Sequence, residues 1–475
     1  MRRTKIIATF GPSIADPEVL KEICEYADAI RINLAHGTWD ESEEYNHVRN
    51  IQLIQKVSQE LKKPVAILVD LKGNKIRIGG FINHMIELEN DSEINVIFTD
   101  QTKTNNHEII INANYCFPQI EIGDKIFLDD GLIQLIVLKI DEKNLTLNCK
   151  VEHGGMLKSN KGFEVENKII HRSGLGDEDK SDIRRLASLN IDWIALSFVQ
   201  KPNDIKELRK ICANKISIMA KIEKPSALDH INKIADLADG IMIARGDLGV
   251  ELPIESVPGW QKKIIRVARV KGKPVVVSTQ MLESMTSSLT PTRAEVSDVA
   301  NAVFEGADAI MLSAESASGD YPVETVKMMN KIAINIEKDS NYNDILSSQL
   351  EDTPDTTPDA IAVAAKTLAD ELSAPIIVCY TESGSTGIKV SRVRPSQTIL
   401  TITPVVQTAR KLSLAWGVLC FLQKDESDLE HMIKLTKKTV KKSGLAIAGD
   451  KVVITAGLPL KVQGTTNLIR VTTVK

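Results

Sequence analysis

Glu223 and Asp247 are two carboxylates that each follow an apolar run, Ile216 to Lys221 and Gly240 to Ala244. A carboxylate pair completed by water or substrate oxygens suits Mg2+ or Mn2+. Lys221, two residues before Glu223, can set a point charge against a developing oxyanion. Ala244, Arg245 and Gly246 lead into Asp247, and Gly246 is where a backbone amide could approach an anion. Other apolar runs end in the same manner: Arg31 and Asn33 with His36 beyond, Asp70 and Lys72, Ser197, Thr279, and Ser313 with Glu315. Each alone has an ordinary reading, as a helix-capping carboxylate, a turn residue or a surface lysine. Two carboxylates, several cations and hydroxyls at one set of strand ends form a stronger pattern, that of metal-assisted chemistry on an anionic substrate.

The elements that must position these groups are legible as short runs rich in Val and Ile, each followed by helical periodicity, the signature of a parallel sheet of βα units. Eight such runs are found: Lys5 to Phe10, Ala29 to Leu34, Val65 to Asp70, Asp192 to Ser197, Ile216 to Lys221, Gly240 to Ala244, Pro274 to Ser278 and Ala309 to Leu312. They predict an α/β protein with a (β/α)8 TIM barrel, whose active site forms at the C-terminal strand ends. A doubly wound open sheet would share the pattern with less regularity.

Between the third and fourth runs the texture changes to alternating segments such as INVIFTD, EIIIN, KIFLDD and LIQLIVLKI. This predicts an inserted β-barrel lid domain, leaving from the end of the strand where the site forms. Beyond SSQLEDTPDTTPD, with Pro354 and Pro358, four further apolar runs alternate with helices and predict a C-terminal α/β domain. The expected domains are the barrel over 1–72 and 170–340, the lid over 73–169 and the C-terminal regulatory domain over 355–475.

Composition narrows the class. The 475 residues suffice for roughly three domains. Lys plus Arg number 59 against 63 Asp plus Glu, a net charge of −4, which gives no reason to expect nucleic acid as a partner. The six cysteines show no CxxC pair or zinc-like spacing. The N-terminus carries too short an apolar run for a signal peptide, and no run reaches the length of a membrane span. A cytoplasmic protein with free thiols and no membrane partner is expected.

Longer motifs carry a family resemblance. TKIIATFGPS, RINLAHG, LVDLKGNKIR, WIALSF, AKIEKPSAL, DGIMIARGDLGVELP, STQMLESM, PTRAEVSDVANAV and DAIMLSAESASGDYP, with GTTN near the C-terminus, resemble pyruvate kinases over nearly the whole chain. The resemblance implies phosphoryl transfer from phosphoenolpyruvate to ADP, giving pyruvate and ATP, in glycolysis. Placed residue by residue, it implies that Glu223 and Asp247 hold Mg2+ and that Arg31 grips the substrate phosphate. Lys221 would neutralise charge on the transferring group and the enolate, and Thr279 would sit near the enolate face that takes up a proton, acting through water. Ser197, Ala244, Arg245, Gly246 and Asp247 line the substrate site. Asn33, His36, Arg77 and Lys161 lie toward ADP, which brings its own Mg2+. A homotetramer is also implied.

Departures from the common family pattern are informative. Ala35 and Leu71 stand where Ser and Thr, with Asn33 and Asp70, ordinarily hold potassium, and Lys75 stands where Glu is usual. The chain resembles the branch with Lys at this place, which works without a monovalent cation. The expectation is an ammonium held by Asp70 or the substrate phosphate, so that potassium is not required. The bland alternative, a solvated lysine at the base of the lid, leaves the paired loss of hydroxyls unexplained. NKGFEVENK replaces a VNLPG-like stretch at the lid return, so lid-hinge contacts do not carry over. Ala314 replaces a usual Gly.

In the C-terminal domain TESGSTG follows a strand and precedes a helical segment, a composition that can hold phosphate. The resemblance implies a phosphorylated metabolite as effector in this region, with Thr381, Ser383, Ser385 and Thr386 as the expected residues; an ordinary capped loop is the alternative. Two rival functions remain open at this level. One is a metal-dependent aldolase or lyase, since a Glu and Asp pair with Mg2+ also stabilises an enolate. The other is a phosphoenolpyruvate-sensing scaffold, which loss of site residues would signal.

Overall fold

The computed structural model describes residues 2–43, 45–73, 75–99, 107–129, 131–166, 168, 175–213, 215–348, 356–423, 428–459 and 465–475. The expected boundaries at 170 and 355, Pro354 of the linker and Gly464 of the GTTN motif lie outside the described residues.

The eight apolar runs form the closed parallel barrel expected of them. Its strands are β1 (Lys5–Thr9), β2 (Ala29–Asn33), β3 (Ala66–Asp70), β4 (Trp193–Leu196), β5 (Ser217–Ile222), β6 (Gly240–Ala244), β7 (Val275–Ser278) and β8 (Ala309–Met311), with β1 pairing both β2 and β8. Successive side chains of a strand face opposite sides, and here the two sides are two apolar clusters. Ile6, Ile30, Ile67, Val69, Ile194, Ile218, Ile241 and Ile243 pack outward against the helices. Ile7, Ala29, Leu68, Trp193, Ala195, Met219, Met242 and Val276 fill the interior. Continuing the inward series by two residues along five of the strands brings Thr9, Arg31, Asp70, Ser197 and Lys221 to the C-terminal mouth, and Glu223 lies two residues beyond Lys221. The period that builds the barrel core therefore also aims the chemistry.

The lid contains a six-stranded sheet ordered Phe163–Val165, Lys125–Leu128, Ile133–Asp141, Thr146–His153, Glu93–Phe98, Glu108–Ile111, and a ribbon pairing Met85–Leu88 with Gly155–Lys158. Arg77 bridges to Gly162 beside one outer strand and Ile78 to Ile111 in the other, so this segment joins the sheet's two edges. Phe98 packs edge-on against Phe117 and Phe163 at its centre.

The C-terminal sheet is ordered Val418–Leu422, Thr398–Thr403, Ile376–Tyr380, Lys451–Gly457, Thr466–Thr473. The last strand, antiparallel and half-exposed, was not among the apolar runs because TNLIRVTT is too polar to read as one. This domain docks on the barrel's N-terminal end. Leu414 joins the barrel's interior cluster, the Trp416 amide donates to Asp308 at 3.1 Å, and Lys5 Nζ donates to the Val418 carbonyl at 2.7 Å. Cys420 is half-buried and the other five cysteines are buried, all free. Among the described residues no helix is long and apolar enough to cross a membrane.

Candidate active site

The barrel mouth holds a compact charge network. Asp70 is buried and accepts from Arg31 Nε at 2.8 Å and from Ser197 Oγ at 3.2 Å, with Lys221 Nζ 3.2 Å away. Lys221 Nζ also lies 2.8 Å from Glu223 Oε1 and donates to Ser197 Oγ at 2.9 Å. Arg31 reaches Thr9 Oγ1 at 3.1 Å. Burial opposes the Lys221 charge, yet Asp70 and Glu223 more than offset it and hold the ammonium above the ordinary lysine range. Burial likewise opposes ionised Asp70, and Lys221 and Arg31 outweigh it, keeping the carboxylate below its usual range. Lys221 is thus a fixed cation rather than a proton donor.

Glu223 is fully buried, and its Oε2 accepts from the Phe198 amide at 2.6 Å. Its Oε1 accepts no hydrogen bond despite the nearby ammonium. Burial, then the charge of Asp247, pushes this carboxyl above its ordinary pKa. An oxygen so placed fits a metal cation. Among the described residues no group of three or more His, Cys, Asp or Glu could hold a metal. A pair such as Glu223 and Asp247 could serve only a hard cation that keeps water or substrate oxygens, not one that needs an all-protein cage.

Asp247 sits in the first turn of the helix Arg245–Glu251 directly after β6. Lys75 donates to Asp247 Oδ1 at 3.0 Å and lies 3.8 Å from Glu164 Oε1. Of the two anions expected to hold this ammonium, Asp70 is corrected: it is taken by Arg31 and Lys221, and Lys75 instead reaches Asp247 beyond β6, across the mouth from β3. Glu164, on the lid strand Phe163–Val165, is 5% exposed. Lys224 lies 3.9 Å from Glu164 and also pairs with Glu251. Burial pushes Glu164 up to about 7, against the pull of Lys224 and Lys75.

Thr279, just past β7, has φ 69°, an unfavourable conformation for a β-branched residue. Its hydroxyl donates to the Ser278 carbonyl at 2.6 Å and accepts from the Gly246 amide at 2.9 Å. The Gly246 amide, expected to be open to an anion, is thus occupied by Thr279. Ala244 is buried at the end of β6. The Arg245 guanidinium, expected at the substrate, instead donates to Asp298 at 2.6 Å and to the Thr279 carbonyl at 2.6 Å. It braces the strained turn. Glu315 is fully buried and accepts from the Ser313 amide at 2.6 Å, a structural cap.

The residues expected toward ADP come from two domains. Asn33 ends β2 and accepts from the Ala35 amide at 3.1 Å, and His36 follows, exposed. Arg77 and Lys161 lie side by side on the lid: the Ile78 amide donates to the Lys161 carbonyl at 2.9 Å, Arg77 donates to the Asn160 carbonyl at 3.0 Å, and Lys161 pairs with Asp129 at 2.7 Å.

In the C-terminal loop, Thr381 Oγ1 accepts from the Gly384 amide at 2.9 Å, and Gly384 takes φ 91° ahead of the helix Ser385–Arg392. Ser383 and Ser385 are half-buried in the turn. Thr386 is buried against Thr466 at 2.7 Å, so its hydroxyl is engaged inside the domain.

Sequence reasoning missed Glu164, Lys224, Glu251 and Thr9. The inward alternation of β1 would have found Thr9. The altered lid return NKGFEVENK was the only mark of Glu164.

Two family models match the chain: the pyruvate kinase barrel domain over residues 1–326 and the pyruvate kinase alpha/beta domain over 359–472. A pyruvate kinase of Methylorubrum extorquens is 43% identical over 471 residues, covering 99% of this chain and 97% of that one. One of Agrobacterium vitis is 41% identical over 472 residues, with 99% and 96% covered. A crystal structure of a pyruvate kinase from Cryptosporidium parvum superposes with a TM-score of 0.91 at 32% identity, covering 100% of this chain and 96% of that one. Barrel, lid and C-terminal sheet are thus matched along nearly the whole length by relatives of one kind, and the chain belongs to the pyruvate kinase family of phosphotransferase enzymes.

Proposed function

We propose that this enzyme transfers the phosphoryl group of phosphoenolpyruvate to ADP in glycolysis, in the cytoplasm, without a monovalent cation. The observation that carries the reading is the Lys221 ammonium, fixed between Glu223 and Asp70 at the barrel mouth. Glu223 and Asp247 would hold a divalent cation, Mg2+ or Mn2+, which when bound would supply neutralising charge for the anionic substrate. Arg31, braced by Asp70 and Thr9, grips the phosphate. Lys221 faces the charge that grows on the transferring group and then on the enolate oxygen, an arrangement that is complete before reaction begins. Ser197 holds Lys221 in register through its hydroxyl.

The phosphorus–oxygen bond to the enolate breaks as one forms to the terminal oxygen of ADP, and the enolate carbon then takes a proton from water near Thr279. Asn33 and His36 on the barrel and Arg77 and Lys161 on the lid would close on the nucleotide and exclude bulk water. Lys75 supplies the positive charge that potassium would otherwise provide, which accounts for Ala35 and Leu71 lacking ligand oxygens. The family relationship further supports a homotetramer with a phosphorylated effector at Thr381, Ser383 and Ser385; Thr386, buried, would act by shaping that turn. Arg245 supports the site by holding the turn of Thr279.

Coupled measurement of pyruvate formation from phosphoenolpyruvate, with and without ADP, tests the reading. Strictly ADP-dependent formation of pyruvate is expected. Pyruvate formed from another oxo acid by carbon–carbon cleavage would favour the lyase, and binding without turnover would favour the sensor.

A further inference from the structure

Lys75 occupies one oxygen of a carboxylate that the proposed function assigns to the metal. An ammonium bonded to Asp247 Oδ1 at 3.0 Å and a divalent cation brought to the same carboxylate repel each other. The ammonium therefore needs another anion within reach. Glu164 Oε1 is 3.8 Å from Lys75 Nζ, and Glu164 Oε2 is buried with no hydrogen-bond partner. A half-satisfied buried carboxylate gains from a close cation more than a solvated one does. Lys224 lies 3.9 Å from the same Glu164 Oε1 and also pairs with Glu251. Glu164 also borders a cleft of about 480 Å3 between the lid and the helix Arg245–Glu251, lined by Phe127, Val165, Val250 and Glu251, which leaves the lid strand room to approach the barrel.

We propose that Glu164 is a positioning residue that receives Lys75 when the metal site is filled: the ammonium moves from Asp247 to Glu164, and the lid strand Phe163–Val165 is thereby clamped to the barrel mouth. This rests on the assignment of Asp247 to the metal. Site loading and lid closure are then linked through one lysine that reaches both carboxylates, and a cation bound at one site changes the affinity of the other.

Mn2+ binding to the substrate-free protein, counted by electron paramagnetic resonance, tests the switch without relying on turnover. Glu164→Gln, nearly the same shape, leaves Lys75 on Asp247 and should weaken Mn2+ about fivefold or more, the lower end of coupling between linked sites. Lys75→Met removes the competitor and should tighten Mn2+ relative to the native protein. Adding Glu164→Gln to Lys75→Met should then change nothing further. Unchanged affinity in either single variant overturns the proposal. So does a Glu164→Gln effect that persists in the Lys75→Met background, because it would then be a general loss of negative charge. Should Glu164→Gln fail to fold, Glu164→Asp, with the charge one methylene short, must give an intermediate affinity, and native affinity in it overturns the proposal. A native protein that binds no Mn2+ would overturn the metal assignment and the switch together; equal affinities in a native protein that binds Mn2+ and forms pyruvate would overturn the switch alone.

Discussion

Lys221 Nζ lies 2.8 Å from Glu223 Oε1, the two side chains standing two positions apart and both facing into the barrel. The pair is not redundant with the Asp70 contact on the other side of the ammonium, 3.2 Å away. One cation is shared by the carboxylate assigned to the metal and the one that holds Arg31, so removing it unbalances both halves of the site.

Lys221→Met keeps the volume and deletes the charge. Turnover should fall by about a hundredfold or more, the scale of a lost oxyanion donor, with a smaller effect on the Michaelis constant for ADP. Steady-state rates at saturating substrates check this, and near-native turnover would remove Lys221 from the chemistry.

Activity should be flat when potassium is added at constant ionic strength to the enzyme in tetramethylammonium buffer, so that general screening does not change. Lys75→Glu should lose most activity, and potassium should restore it fully only after Ala35→Ser and Leu71→Thr rebuild the missing oxygens. Many-fold activation of the native enzyme by potassium would return Lys75 to the role of a lid-hinge residue.

Asp192, at the start of β4, is buried and accepts from the Ile67 amide at 2.8 Å. Burial pushes its carboxyl up to about 7, against the pull of that amide and of Arg410. The folded state therefore holds a proton that the unfolded chain releases near the ordinary aspartate value. This contribution favours folding most at low pH, declines as pH rises toward about 7, and is constant above it. Asp192→Asn should remove the decline. Urea midpoints of the two proteins should differ more in the variant's favour at pH 8 than at pH 5, and a constant difference would contradict the shift.

Trp416 is fully buried at the junction of barrel and C-terminal domain, and its Nε1 donates to the Tyr342 hydroxyl at 3.1 Å. Trp416→Ala should cost about 3–5 kcal/mol through lost burial and the cavity left behind. A lowered urea midpoint is expected, and a midpoint equal to that of the native protein would show that the junction does not support the fold.

The barrel and the inward aim of Arg31, Lys221 and Glu223 were legible from the chain alone. The reason is local: a strand alternates faces every second residue, so an apolar run that ends in Lys221-Ile222-Glu223 sends both charged groups to one side whatever packs around it. Family motifs added the roles of these groups. The tertiary structure alone decided which charges are shared. Arg245 follows β6 as Glu223 follows β5, yet it turns away to Asp298, a residue of the helix Arg293–Phe304. Lys75 meets Asp247 rather than Asp70, and Glu164 is drawn into the barrel mouth from the lid's return strand. Thr386 spends its hydroxyl on Thr466, at the far end of the C-terminal domain. Periodicity fixes the face a side chain occupies, but which of several opposite charges it pairs with depends on distances between segments far apart in the chain, set only when three domains close on one another.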